Sequence, residues 1–98
     1  MDGMIKKGRA AAFSNAYATN VLLNETDSDV RIYAFNEIIE FESEKIAISD
    51  GSIIMTDQAT ILLYEQLKEL MEKWKADGKA VEVSAQRREI LEKMKDKK

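Results

Sequence analysis

Residues 56–74 read TDQATILLYEQLKELMEKW and predict a long amphipathic helix. Thr56 is a residue type that caps helices, and Asp57 places a negative charge in the first turn, where the helix dipole favours it. Apolar residues then recur at spacings of three and four, which predicts an apolar stripe on a helix of about five turns. Gly78 follows where a C-terminal cap is expected. The stripe consists of Ala59, Leu62, Leu63, Leu67, Leu70, Met71 and Trp74.

The residues before this helix have the alternating, β-branched pattern of strands. Residues 17–23 and 30–39 predict two antiparallel strands, joined by a loop over the turn formers at 24–29. Asp50-Gly51 lies between two further β-rich runs, and this dipeptide predicts a two-residue hairpin turn. The sequence therefore predicts an α+β fold: an antiparallel sheet of three to four strands packed on one long amphipathic helix, plus a C-terminal charged helix.

The 98 residues fit one small domain with charged ends. We expect a flexible basic arm over 1–12, the α+β domain over 13–78 and a charged C-terminal helix over 79–98. The apolar residues of that last helix are too few to stabilise it alone, so it needs a surface to dock on. We therefore expect that removing 84–98 leaves the domain folded but weakens whatever association the protein makes.

The composition argues against most enzyme classes. The chain has no His and no Cys, which removes the usual general base, the thiolate nucleophile, disulfides and Cys-ligated metals. It also has no glycine-rich phosphate-binding loop. We therefore predict a protein that is not an enzyme and has no cofactor or metal. Since there is no signal peptide and no apolar run of membrane-spanning length, we expect a cytoplasmic protein without membrane contact.

Three short motifs resemble those of a known family of short prokaryotic and phage proteins. Tyr17-Ala18-Thr19-Asn20-Val21 is similar to the family's Tyr-Ala-Asn first strand, and a second strand follows at 30–35. The run 53–59, IIMTDQA, is similar to the Met-Ser-Pro-x-x-Ala motif that leads into a leucine-rich helix, with Thr56-Asp57 in place of Ser-Pro. The resemblance covers about residues 13–76. It implies a strand-rich α+β unit with no known activity, and it supplies no catalytic residues.

The leading functional hypothesis is a non-enzymatic protein–protein interaction module that forms a homo-oligomer. A chain of this size buries a modest core, so a partner subunit is the expected source of further burial. Association with a different protein is a further possibility that the sequence leaves open. The candidate interface residues are Leu63, Leu67, Leu70, Trp74, Ile90, Leu91 and Met94.

The first alternative is a nucleic-acid-binding accessory protein that acts through its basic tails. Residues 24–83 carry 14 acidic and 6 basic residues, so the folded middle repels phosphates and the tails would have to bind them. We rank this hypothesis below protein interaction, because neither tail holds a long block of like charge. The candidate residues are Lys6, Lys7, Arg9, Arg87, Arg88 and Lys93.

The second alternative is a small-ligand site at the subunit boundary. Ligand sites commonly combine an apolar wall with a few convergent polar groups. Asn20, Tyr33, Asn36 and Glu37 are polar residues within or beside the predicted strands and could converge in this way.

Overall fold

The computed structural model describes residues 3–95 and has an α+β fold, as the sequence predicts. A three-stranded antiparallel sheet has the strand order β1-β2-β3 and is followed by two helices. The elements are β1 (Asn20–Glu25), β2 (Val30–Phe41), β3 (Glu44–Met55), α1 (Asp57–Ala76) and α2 (Ala85–Met94). No helix within the described residues is long and apolar enough to cross a membrane.

The turn between β1 and β2 is held by the side chains of Thr26, Asp29 and Arg31. The Thr26 hydroxyl donates to Asp29 Oδ1 at 2.8 Å and accepts from the Asp29 backbone N–H at 3.1 Å. Arg31 Nε donates to the same Oδ1 at 3.0 Å. The bonds from Arg31 and then Thr26 hold the pKa of the Asp29 carboxyl below its ordinary value, because both stabilise the charged form. This compact turn leaves Glu25 free to pair with Val30, so β1 lies further along the chain than the predicted residues 17–23.

The hairpin between β2 and β3 turns at Glu42 and Ser43, and the predicted turn at Asp50-Gly51 is wrong. Glu42 and Ser43 have φ values of 52° and 70°, the left-handed conformation of both central residues in a type I′ turn. Asp50 and Gly51 lie inside β3. The preference of Asp-Gly for turns is a local effect, and the pairing of two twelve-residue strands overrides it.

Replacing the turn residues Glu42 and Ser43 by Asn and Gly is expected to raise the free energy of unfolding by about 1 kcal/mol, because both replacements adopt positive φ at lower cost. Thermal melting of the double variant measures this gain. Gly51→Ala is the control, since the added methyl would meet the Ala16 methyl at 3.7 Å, an ordinary contact. A marked loss of stability in Gly51→Ala would place the turn at Asp50-Gly51 after all.

Two compensating bulges keep the sheet faces consistent along the long hairpin. Asp50 is an extra residue in β3, between the pairs Ala34–Gly51 and Phe35–Ser49. Asn36 is an extra residue in β2, immediately after Phe35. Each bulge reverses the alternation of its own strand. Since each strand has one bulge, the two reversals cancel. Paired residues of β2 and β3 therefore lie on the same face of the sheet on both sides of the bulges.

The alternation of side chains gives the sheet one apolar face and one mixed face. The mixed face carries polar residues such as Asn20, Tyr33 and Ser49 together with Phe35 and Ile38, by the strand register. The apolar face carries two glutamates at its ends, Glu25 and Glu44, and is otherwise formed by Val21, Leu23, Val30, Ile32, Ala34, Ile39, Phe41, Ile46, Ile48, Ile53 and Met55.

Helix α1 begins and ends as the sequence predicts. The Thr56 hydroxyl accepts from the Ala59 N–H at 3.1 Å, and Gly78 follows the helix with a φ of 77°. The helix contacts β3, and Ala59 and Leu63 near its start are half-buried. From Leu67 onward most of the stripe is exposed. The long helix is therefore joined to the sheet near its beginning and leaves much of its apolar stripe uncovered.

Helix α2 docks on the mixed face of the sheet. Ser84 caps it by accepting from the Arg87 N–H at 3.1 Å, and Arg87 Nη1 donates to the Thr19 carbonyl oxygen at 3.1 Å. Ile90 and Met94 line a cavity together with Ile38. A charged C-terminal helix is thus present, over Ala85–Met94 and not from residue 79 as predicted, and its apolar positions lie against the sheet of the same chain. The last three residues of the predicted range, 96–98, lie outside the described residues.

Candidate interaction surface

The isolated chain leaves its apolar face largely exposed. Among the described residues, Val30 is the apolar side chain that is buried, with 8% of its surface exposed. On the same face, Leu23 is 64% exposed and Ile53 is 62% exposed. A sheet face of this composition is normally the inside of a core. Here it lies open.

The accessible surface of the whole chain shows the same deficit of burial. It is 8872 Å², whereas a folded monomer of 11.1 kDa exposes about 5,700 Å². The radius of gyration is 16.8 Å, against about 13 Å for a compact domain of this length. Part of the excess comes from the extended N-terminal segment, and the apolar face and the α1 stripe add to it. The fold therefore presents far more surface than a self-sufficient domain does.

Four of the predicted interface residues lie on the α1 stripe. Leu67 is 46% exposed and Leu70 is 38% exposed, while Leu63 and Trp74 are half-buried. Lys79 Nζ lies 4.1 Å from the centroid of the Trp74 ring, so a cation of the following loop covers part of this ring. The stripe is thus a helical surface with apolar side chains available for a partner.

The other three predicted interface residues serve a contact within the chain. Ile90, Leu91 and Met94 are half-buried. Ile90 and Met94 lie beside Ile38 and Ala47 of the mixed face. Their first role is therefore to hold α2 on the sheet, since that contact occupies the narrow apolar side of this helix.

Two of the four predicted ligand residues lie close together. Asn20 and Asn36 line a cavity of about 250 Å³ beneath α2, together with Arg87 and Phe35. Tyr33 is on the same sheet face, where it contributes with Asp29 to raising the pKa of the Arg31 guanidinium. The side chain of Glu37 lies outside the described residues. The structure thus brings the side chains of Asn20, Asn36 and Arg87 to one cavity.

The predicted nucleic-acid residues include several with partners inside the chain. Arg9 lies over the Phe13 ring, 4.6 Å from its centroid. Arg87 donates to the Thr19 carbonyl oxygen, and Lys93 Nζ is 3.2 Å from the Glu89 carboxylate. Lys6, Lys7 and Arg88 are exposed.

Among residues 3–95, no group of three or more His, Cys, Asp or Glu side chains could hold a metal ion. The sequence hypothesis placed the interface on helices and did not include the exposed sheet residues Val21, Leu23 and Ile53. The signal that could have found them is the matched alternation of three strands, which puts their apolar side chains on one face.

Comparisons with protein-family models, curated proteins and solved structures find no match to this chain. The resemblance to short prokaryotic and phage proteins accordingly stays a prediction from the motifs.

Proposed function

We propose that this chain is a small non-enzymatic interaction module that assembles with itself, and that it does so through the apolar face and the α1 stripe. The observation that carries the proposal is the near absence of burial in the described chain: Val30 is buried, while Leu23 and Ile53 on the same face are open to solvent. Exposed apolar surface of this extent is typical of protein–protein interfaces. The absence of His and Cys from the sequence favours a role in binding over catalysis.

The available area is sufficient for a stable subunit contact. A standard interface buries about 800 Å² on each partner. The chain exposes about 3,200 Å² more than a compact monomer of its mass, and the apolar face, the α1 stripe and the extended N-terminal segment all contribute to this excess. Covering a quarter of this excess would already provide a standard interface, and obligate assemblies cover more and are more apolar.

The charge distribution is compatible with such a contact. The formal net charge is −3, and the apolar face is predominantly uncharged between Glu25 and Glu44 at its ends. Depletion of charge at the centre of a patch is the compositional mark of protein interfaces. A nucleic-acid surface has the opposite signature, since phosphate contacts need concentrated positive charge.

We expect the full chain to sediment at micromolar concentration with at least twice its mass of 11.1 kDa. The physical reason is the burial of apolar surface, which favours association by about 25 cal/mol for each Å². Sedimentation equilibrium over a dilution series measures both the mass and the dissociation constant. A single species of 11.1 kDa throughout the series would overturn the proposal.

A further inference from the structure

We infer that the occupant of the α1 stripe is the α1 helix of a second copy, packed antiparallel across a two-fold axis. This inference rests on the proposed function and adds the geometry of the contact. It follows from three properties of α1: its exposure, the symmetry of its apolar spacing and the charges at its two ends.

The apolar spacing on α1 reads the same in both directions. Leu63, Leu67, Leu70 and Trp74 follow one another at intervals of four, three and four residues. This is the spacing of a coiled-coil seam, in which apolar residues of two helices interdigitate. In an antiparallel pair centred between Lys68 and Glu69, Leu67 of each copy meets Leu70 of the other. The same arrangement brings Leu63 opposite Trp74.

The charges at the helix ends favour the antiparallel direction. Asp57 lies in the first turn, and Lys73 and Lys75 lie in the last turn. Antiparallel packing centred between Lys68 and Glu69 sets Lys68 of each helix level with Glu69 of the other, keeps the two Asp57 carboxylates apart and opposes the two helix dipoles. Lys73 is already paired within its own chain, with its Nζ 3.1 Å from Asp77 Oδ2. A parallel pair would place like charges together and stack Trp74 against its own copy.

The position of α1 in the fold leaves room for this partner. The helix has 20 residues and is about 30 Å long, and Leu67, Leu70 and Met71 are exposed. A second α1 laid along the stripe would cover these side chains without displacing α2, whose apolar side is occupied by the mixed face of the sheet.

Spin labels at two single cysteines test the inference, and the chain has no cysteine to compete with them. Gln58→Cys lies near the start of α1 and Glu69→Cys lies at the proposed centre, and both sites are exposed. Pulsed electron paramagnetic resonance measures the distance between the two labels of a dimer. With a rise of 1.5 Å per residue, antiparallel pairing predicts about 10–20 Å at position 69 and about 30 Å at position 58.

The outcomes separate this inference from the proposed function. A dimer with a short distance at position 69 and a long one at position 58 supports the antiparallel pair. A dimer with short distances at both positions is parallel, and one with long distances at both has no α1 contact. Either result overturns the inference and leaves self-association standing. A monomer by sedimentation with no label coupling overturns both.

Discussion

Ile53→Glu is expected to weaken self-association by about 100-fold or more, whereas Ile54→Glu should change it little. The two residues are neighbours of the same type and have similar exposure in the single chain, 62% and 58%. They differ in the sheet face to which they belong. Ile53 pairs with Ile32 on the apolar face, and Ile54 pairs with Arg31 on the mixed face. A carboxylate enclosed at an apolar contact loses its hydration, which costs several kcal/mol unless it is paired.

Sedimentation equilibrium of both variants over the same dilution series measures this difference. Circular dichroism at high concentration shows whether each variant still has the helix and strand content of the parent. If Ile54→Glu dissociated the assembly and Ile53→Glu did not, the contact would lie on the mixed face. Equal dissociation constants for the parent and both variants would remove the apolar face from the interface.

The helices were the most predictable part of the fold, because their signals are local. Thr56 and Ser84 accept hydrogen bonds from backbone N–H groups three residues ahead, and Thr56 is the helix start that the sequence predicts. Gly78 likewise has the positive φ that a helix end requires. These features depend on a few neighbouring residues, so no knowledge of the tertiary structure is needed.

The strand boundaries were less predictable, because they depend on pairing between distant residues. The register of β2 with β3 places Asp50 at a bulge and moves the turn to Glu42 and Ser43, neither of which is a glycine or asparagine. A sequence pattern gives each strand its alternation but does not say where an extra residue will be inserted. The sequence therefore predicts the turn at Asp50-Gly51, whereas Glu42 and Ser43 form it.

The sequence predicts the part of the candidate surface that lies on α1 but not the part that lies on the sheet. The 3.6-residue period identifies the stripe with Leu67 and Leu70, whose exposure in the chain agrees with a role at an interface. The same period in α2 cannot distinguish docking within the chain from docking on a partner. The sheet residues Leu23 and Ile53 were overlooked because alternation predicts a buried face and gives no sign that the chain itself leaves this face uncovered.

Replacing Ile90, Leu91 and Met94 by serine is expected to lower the melting temperature by more than about 10 °C while the chain still self-associates. Each half-buried side chain contributes about 1 kcal/mol, and about 3 kcal/mol in total corresponds to a shift of this size for a small domain. The sequence alone led us to expect that loss of this segment weakens association. The structure changes that expectation, because the apolar side of α2 lies against the sheet of its own chain: Ile90 and Met94 lie beside the mixed face, and Leu91 lies beside β1.

Thermal melting and sedimentation of the triple variant, beside the chain that ends at residue 83, separate the two roles of α2. Glu92→Ser is the matched control on the same helix, since this side chain is 69% exposed and should leave both measurements near the parent values. If the triple variant kept its melting temperature but became monomeric, Ile90, Leu91 and Met94 would belong to the subunit contact. If the triple variant lost stability and remained associated, α2 would stabilise the fold of each copy, and assembly would depend on the apolar face of the sheet.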